Sequence, residues 1–295
     1  MFKRVGLFVL TNILVITTIS IAYNLFVAFT GINQYGGYYI PLLVFCTFWG
    51  FGGAFISLLM SKFIAKRAYN VQIIDPLAPD GKSRELLFRV HSLATKAGLE
   101  KMPEVGIYDS PEINAFATGP SRNNALVAIS TGLLNRMNDE EVNGVLGHEI
   151  SHVANGDMVT MTLIQGVVNS FVMFFARIIA KVVASQSDEK NQYAIQFGLT
   201  ILLDIVFSLL GSILVATFSR YREFRADAGG AKLAGRQAMI NGLRRLQSQF
   251  SQIAPDNSSV SSLKISNKPA GVMALFSTHP PLEERIARLE KAYVV

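Results

Sequence analysis

Charge is what this sequence lacks most. Of its 295 residues only 16% are Asp, Glu, Lys or Arg, whereas 50% are hydrophobic, and the mean hydropathy is +0.34. A soluble domain carries about 25% charged residues, so apolar surface here must be hidden from water by something other than the chain's own fold. An ordinary water-soluble enzyme, a disordered chain and a collagen-like repeat are thereby excluded. Cysteine is almost missing: Cys46 stands alone within an apolar run, which excludes an intramolecular disulfide and a cysteine-built metal site. No internal repeat is evident. The formal net charge of +6, from 27 Lys+Arg against 21 Asp+Glu, does not point to nucleic acid. Many of the basic residues flank apolar runs, as the orienting charges of membrane proteins do.

Four runs are long enough to cross a hydrocarbon core of about 30 Å: residues 6–29, 38–60, 158–178 and 197–217. The first follows Lys3 and Arg4 but is too long for a cleaved signal peptide, lacks a small-residue cleavage site and is followed almost at once by a second run, so it reads as a retained anchor. Lys3, Arg4, Lys62, Lys66 and Arg67 bracket the first pair, and the loop 30–37 between them is uncharged, which places both ends of that hairpin in the cytoplasm. Arg220, Arg222 and Arg225 follow the fourth run and give the same orientation. Arg177 and Lys181 run against the rule, although their long side chains can snorkel to the interface. Gln165, Asn169, Ser170 and Asp204 would be costly against lipid, so the expectation is hydrogen bonding between helices, with an Asp204–Arg177 pair as the alternative.

Three polar stretches remain. After a Pro-containing linker, residues 83–97 have helical periodicity, with Leu86, Leu87, Val90, Leu93, Ala94 and Ala97 on one face. Residues 104–108, 115–118 and 125–130 read as strands. Asn138, with Glu141 three positions on, predicts a capped helix running to Asn155 with Gly156 as its stop. Residues 219–250 read as helix, 251–270 as a Ser/Asn/Pro-rich mobile loop, and a last short helix begins near Pro281.

The predicted capped helix contains His148-Glu149-Ile150-Ser151-His152, and two of the chain's four histidines fall there. Residues at i and i+4 share a face, so the two imidazoles can converge on one ion while Glu149 polarises a water beside it. The competing reading is a pair of surface histidines. Against it, Val142, Val145, Leu146 and Val153 give the helix a buried side. A catalytic zinc site takes three protein ligands. Glu223 can be the third, with Asp227 accepting a hydrogen bond from a histidine ring nitrogen. The alternative for that segment is a solvated face salt-bridged through Arg222 and Arg225. His91 has no partner at metal spacing and reads as structural.

The His148-Glu149-x-x-His152 helix, the Glu223-x-x-x-Asp227 helix after a further pair of spans, and Thr278-His279-Pro280-Pro281 together resemble the HtpX family of bacterial membrane zinc metallopeptidases, relatives of the type I CAAX prenyl endopeptidases. Residues 113–119 and 156–161 extend the resemblance over essentially the whole chain. It implies one Zn2+ per chain on His148, His152 and Glu223, Glu149 as general base, and proteolytic quality control of membrane proteins under stress in the bacterial inner membrane. The lipid bilayer and membrane-protein substrates are its implied partners, together with other membrane quality-control proteases. Asn114, Ala115 and Phe116 resemble the edge strand to which gluzincin-type proteases add an extended substrate. The competing reading is an ordinary half-buried strand. His279 and Arg285 can both reach the cleft as oxyanion donors, with a helix-cap or packing role as the alternative for His279.

The expected architecture is mainly α (α+β): an integral membrane protein with a cytoplasmic zincin-like metalloprotease domain split by its second pair of spans. The parts are a transmembrane hairpin, 1–69; a catalytic part with the histidine motif, 70–157; a second hairpin, 158–217; and a catalytic part with the third ligand, 218–295. Both termini are then cytoplasmic. Rival functions are a prenyl-protein processing peptidase and a non-catalytic scaffold with a structural metal.

Overall fold

The computed structural model describes residues 2–32, 37–77, 81–252 and 275–291. The chain divides into two compact units, residues 1–58 with 160–215 and residues 59–159 with 216–295.

The first unit is helical. Its elements are α1 (Phe2–Thr30), most of α2 (Tyr39–Ala68), most of α6 (Asp157–Ala184) and the first half of α7 (Glu189–Ala234). Among the described residues, three helices, α2, α6 and α7, have both the length and the apolarity to cross a membrane; α1 contributes a shorter described apolar stretch, Ile16–Thr30. Small residues let α2 and α6 approach closely: a Cβ on Gly50 would lie 2.3 Å from Ser170 Oγ, and one on Gly166 would lie 2.5 Å from Phe51. The intramembrane polar groups depart from expectation. Gln165 Nε2 bonds Asn169 Oδ1 at 2.8 Å and Ser170 Oγ bonds the Gly166 carbonyl at 2.8 Å, all within α6 rather than between helices. A helix satisfies such groups at i and i+4 without needing a neighbour. The contact between helices is the alternative one, Arg177 Nη1 to Asp204 Oδ1 at 3.6 Å.

The second unit is built on a four-stranded sheet: β1 (Gln72–Ile73), β2 (Glu104–Tyr108), β3 (Ala115–Ser121) and β4 (Asn124–Ser130), in the order β1-β2-β4-β3. β2 and β4 are parallel and the outer pairs antiparallel, which leaves β3 at one edge. Alternation sends Val105, Val127 and Ile129 to one face, where they meet Leu86, Val90 and Leu93 of α3 (Gly81–Lys96) and Leu146, Ile150 and Val153 of α5 (Asp139–Asn155). Between the sheet and α5 lies a short α4 (Thr131–Arg136) capped by Ser130. At the start of α5, Asn138 and Glu141 form a reciprocal capping box, with both bonds at 2.9 Å. At its end Gly156 adopts the left-handed conformation, φ 68°, that turns the chain toward α6.

The segment after the fourth apolar run is not one helix: α7 stops at Gly235 (φ 99°) and α8 (Arg236–Gln252) follows. A last helix, α9 (Leu282–Lys291), packs Ile286 and Leu289 on Met239, Ile240 and Leu243 of α8. The expected mobile loop lies, beyond Gln252, outside the described residues. His91 has a structural partner, its Nε2 lying 3.1 Å from the Pro103 carbonyl.

Candidate metal centre and active site

Glycines bring together the two helices that carry the candidate metal-binding residues. A Cβ on Gly147 of α5 would lie 3.0 Å from Ala234 Cβ, one on Gly229 of α7 would lie 2.0 Å from Ser151 Oγ, and one on Gly230 would lie 2.9 Å from the His148 nitrogen. With no side chain between the backbones, His148 and His152 face Glu223 directly. His148 Nε2 lies 3.1 Å from His152 Nε2 and 3.4 Å from Glu223 Oε2, and His152 Nε2 lies 3.3 Å from Glu223 Oε1. Metal–donor bonds of about 2.0–2.1 Å at tetrahedral angles put neighbouring ligand atoms about 3.3–3.4 Å apart. The two imidazoles approach that spacing to each other and each to one oxygen of the Glu223 carboxylate, and one ligand atom from each residue lies within 4.8 Å of the others, so the set could hold one small divalent ion. A second observation agrees. Glu223 is fully buried and its Oε2 has no hydrogen bond, only ion-pair contacts with His279 Nδ1, His148 Nε2 and Arg285 Nη1 at 2.9, 3.4 and 3.6 Å; a bound cation would satisfy it more fully. Among the described residues, these three form the one group of His, Cys, Asp or Glu side chains able to share an ion.

Each histidine is held from behind. His148 Nδ1 lies 2.9 Å from Asp227 Oδ1, and His152 Nδ1 lies 2.6 Å from Asp157 Oδ2. Each carboxylate has its own arginine. Arg285 donates from Nε and Nη2 to Asp227 at 2.8 and 2.6 Å, and Arg225 donates from Nη2 to Asp157. Burial alone pushes both imidazole pKa values down. At His148 the bonds to Asp227 and Glu223 outweigh burial and raise the net value; at His152 those to Asp157 and Glu223 push it up to about 9. Glu223 experiences the reverse: burial raises its pKa, and the contacts with His148, His152 and His279 hold it far below the usual carboxylate range.

Glu149, on the same turn as His148, is half-buried. His279 sits at the rim, 62% exposed, with Nδ1 2.9 Å from Glu223 Oε2. Arg285 is buried beside the group, its Nε and Nη2 bonding Asp227 and its Nη1 3.6 Å from Glu223 Oε2. Asn114 is exposed just ahead of β3, and Ala115 and Phe116 are half-buried on it. Ser130 ties this edge down, its Oγ accepting from the Asn114 N–H at 3.1 Å and its N–H donating to the Asn114 carbonyl at 3.0 Å.

Sequence reasoning did not single out Asp157, Arg225 or Arg222, whose Nη2 donates to Glu223 Oε1 at 3.2 Å, as parts of the site. The available signal for Asp157 was an acid immediately after a helix-stopping glycine, where the chain folds back over the last turn. Spacing carried no such signal for the arginines.

Residues 81–293 match the family model described as Peptidase family M48. The chain is 51% identical to the Protease HtpX homolog of Bacillus licheniformis and 50% identical to that of Bacillus subtilis, over 98% of this chain and 99% of each relative. It is 50% identical to Protease HtpX of Idiomarina loihiensis at the same coverage. Its fold is similar to the crystal structure of S. mikatae Ste24p, with a TM-score of 0.63 at 19% identity, covering 98% of this chain and 66% of that one. With a two-histidine, one-carboxylate group able to hold a metal ion and three helices of membrane-spanning length and apolarity among the described residues, the chain belongs to peptidase family M48 and is a membrane-bound metallopeptidase.

Proposed function

We propose that the chain is a four-span zinc endopeptidase of the bacterial cytoplasmic membrane. Its catalytic residues and both termini face the cytoplasm, and it removes damaged or misassembled membrane proteins. The observation that carries the catalytic part is the convergence of both Nε2 atoms, 3.1 Å apart, on the two oxygens of the Glu223 carboxylate at 3.3 and 3.4 Å, with Glu149 adjoining His148 in sequence. The distribution of Lys3, Arg4, Lys62, Lys66 and Arg67 about an uncharged loop supports the orientation. Kinship with HtpX proteases supports the quality-control role.

His148, His152 and Glu223 would hold the zinc, which supplies Lewis acidity and lowers the pKa of a water to about 7. Asp227 and Asp157 fix each histidine by accepting from Nδ1, so that both Nε2 lone pairs face inward. An extended substrate adds antiparallel to β3 along residues 114–116, so main-chain bonds rather than side-chain identity align the scissile peptide. Glu149 accepts the proton from the attacking water and delivers it to the leaving nitrogen. His279 donates to the oxyanion from the rim, and Arg285 acts one step back, through Asp227.

The test is cleavage by the full chain in lipid nanodiscs, using a membrane protein in folded and destabilised forms and a farnesylated peptide. Faster cleavage of the destabilised form, with the farnesylated peptide untouched, is expected. Preference for the farnesylated peptide would replace this reading with prenyl-protein processing.

A further inference from the structure

We infer that Arg220 is a positioning residue for the oxyanion site: it fixes the backbone that carries His279, an inference that rests on the reading of His279 as the oxyanion donor. The His279 side chain is 62% exposed, so packing does not hold it, and its position is set by the chain on either side. On the downstream side, Pro280 and Pro281 restrict the backbone, and Arg285 anchors α9 through its two bonds to Asp227. On the upstream side the anchor is Arg220. Its Nη1 donates to the carbonyls of Leu275 and Ser277 at 3.1 and 2.8 Å, and its Nη2 donates to Thr217 Oγ1 at 2.8 Å. Ser277 Oγ then donates to the His279 carbonyl at 2.7 Å, which passes the constraint on to the residue itself.

Arg220 and Glu223 lie three apart on α7 and therefore share a face. One turn of one helix thus presents the carboxylate and, beside it, the anchor for the histidine set 2.9 Å from that carboxylate. Arg220 pairs with no carboxylate among the described residues; its donors serve three neutral oxygens at once. A planar guanidinium can do this with little loss of freedom per bond, whereas an ammonium on a flexible stem reproduces the set only in part. Thr217, the third acceptor, lies three residues before Arg220 on the same helix, so Arg220 joins α7 to the segment bearing His279.

The experiment compares the zinc-loaded full chain with Arg220→Ala, Arg220→Lys, His279→Ala and the Arg220→Ala/His279→Ala double variant. Single-turnover kcat, KM, zinc content, melting and hydrogen exchange over residues 275–281 are measured for each. A displaced donor costs rate rather than affinity, so Arg220→Ala should lower kcat about 10- to 100-fold with KM within about twofold. Zinc content and melting should stay at wild-type levels, exchange over 275–281 should rise, and Arg220→Lys should recover part of the rate. In the double variant, removing Arg220 should cost nothing beyond the loss of His279. Unchanged kcat and exchange in Arg220→Ala overturn the inference. So does a rate loss that persists undiminished without His279, or one explained by lost zinc or a lowered melting point. Normal turnover by His279→Ala instead overturns the oxyanion reading and with it the catalytic consequence, and exchange alone then decides whether Arg220 anchors the loop.

Discussion

His148 and His152 sit one turn apart on α5 and are held by the same kinds of group at different depths. Behind His148 stand Asp227 from α7 and Arg285 from α9, with side chains 3% and 7% exposed. Behind His152 stand Asp157, five residues on, and Arg225, whose side chain is 49% exposed. The first arrangement is sealed and assembled from distant parts of the chain; the second is local on one side and open to water at its arginine. A buried guanidinium deprived of its carboxylate is left without a partner, whereas a half-exposed one turns to solvent. The two histidines can therefore contribute equally to binding a metal while differing in what their loss of support does to the fold.

The largest expected effect comes from the group that belongs to neither arrangement. Glu149→Gln should lose about two to four orders of magnitude in kcat while retaining metal, measured by single-turnover cleavage and elemental analysis. Equal loss of metal in that variant would place Glu149 among the ligands. Next, Asp227→Asn and Asp157→Asn should each weaken metal binding about 10- to 100-fold in chelator competition. Thermal unfolding should separate them: Asp227→Asn takes from buried Arg285 the carboxylate that accepts its two bonds and leaves only the 3.6 Å contact with Glu223, at a cost of about 3 kcal/mol, whereas Asp157→Asn should cost about 1 kcal/mol or less. Equal melting shifts would remove the contrast in depth. A smaller effect is expected from Arg225→Ala, about 0–1 kcal/mol in stability with a modest loss of metal affinity, against a clearly larger loss for Arg285→Ala. The orientation proposal gives a qualitative outcome: in a Cys46→Ser background, a cysteine at exposed Ser185 should react with an impermeant thiol reagent in intact cells, and one at exposed Lys96 only after lysis.

The contrast also explains which parts of the site were legible in the sequence. The His148/His152 spacing, the Asn138/Glu141 cap and the Gly156 stop are local patterns, and each is present as read. The strands at 104–108 and 125–130 followed from short apolar segments of strand length, but β1 is two residues long and α4 six, too short for periodicity to register. Asp227 was found because the i, i+4 spacing from Glu223 suggested a face. Asp157 escaped because its reach back to His152 depends on a left-handed turn, and Arg225 because its partner lies 68 residues away. For Arg285, sequence suggested proximity to the cleft, and in the structure its Nε and Nη2 bond Asp227 while Nη1 lies 3.6 Å from Glu223 Oε2. Proximity can be inferred from a motif, but which atom points at which requires the packed helices.

The central claim is that His148, His152 and Glu223 hold the metal on which peptide cleavage depends and that Glu149 works beside it. The most direct measurement follows cleavage of a destabilised membrane protein by the reconstituted full chain as metal is stripped by chelator and zinc is returned. Wild-type activity should vanish on stripping and return with about one equivalent of zinc per chain, while Glu149→Gln takes up the same zinc and stays inert. Cleavage that continues in the stripped protein, or zinc-restored activity in Glu149→Gln, would contradict the account.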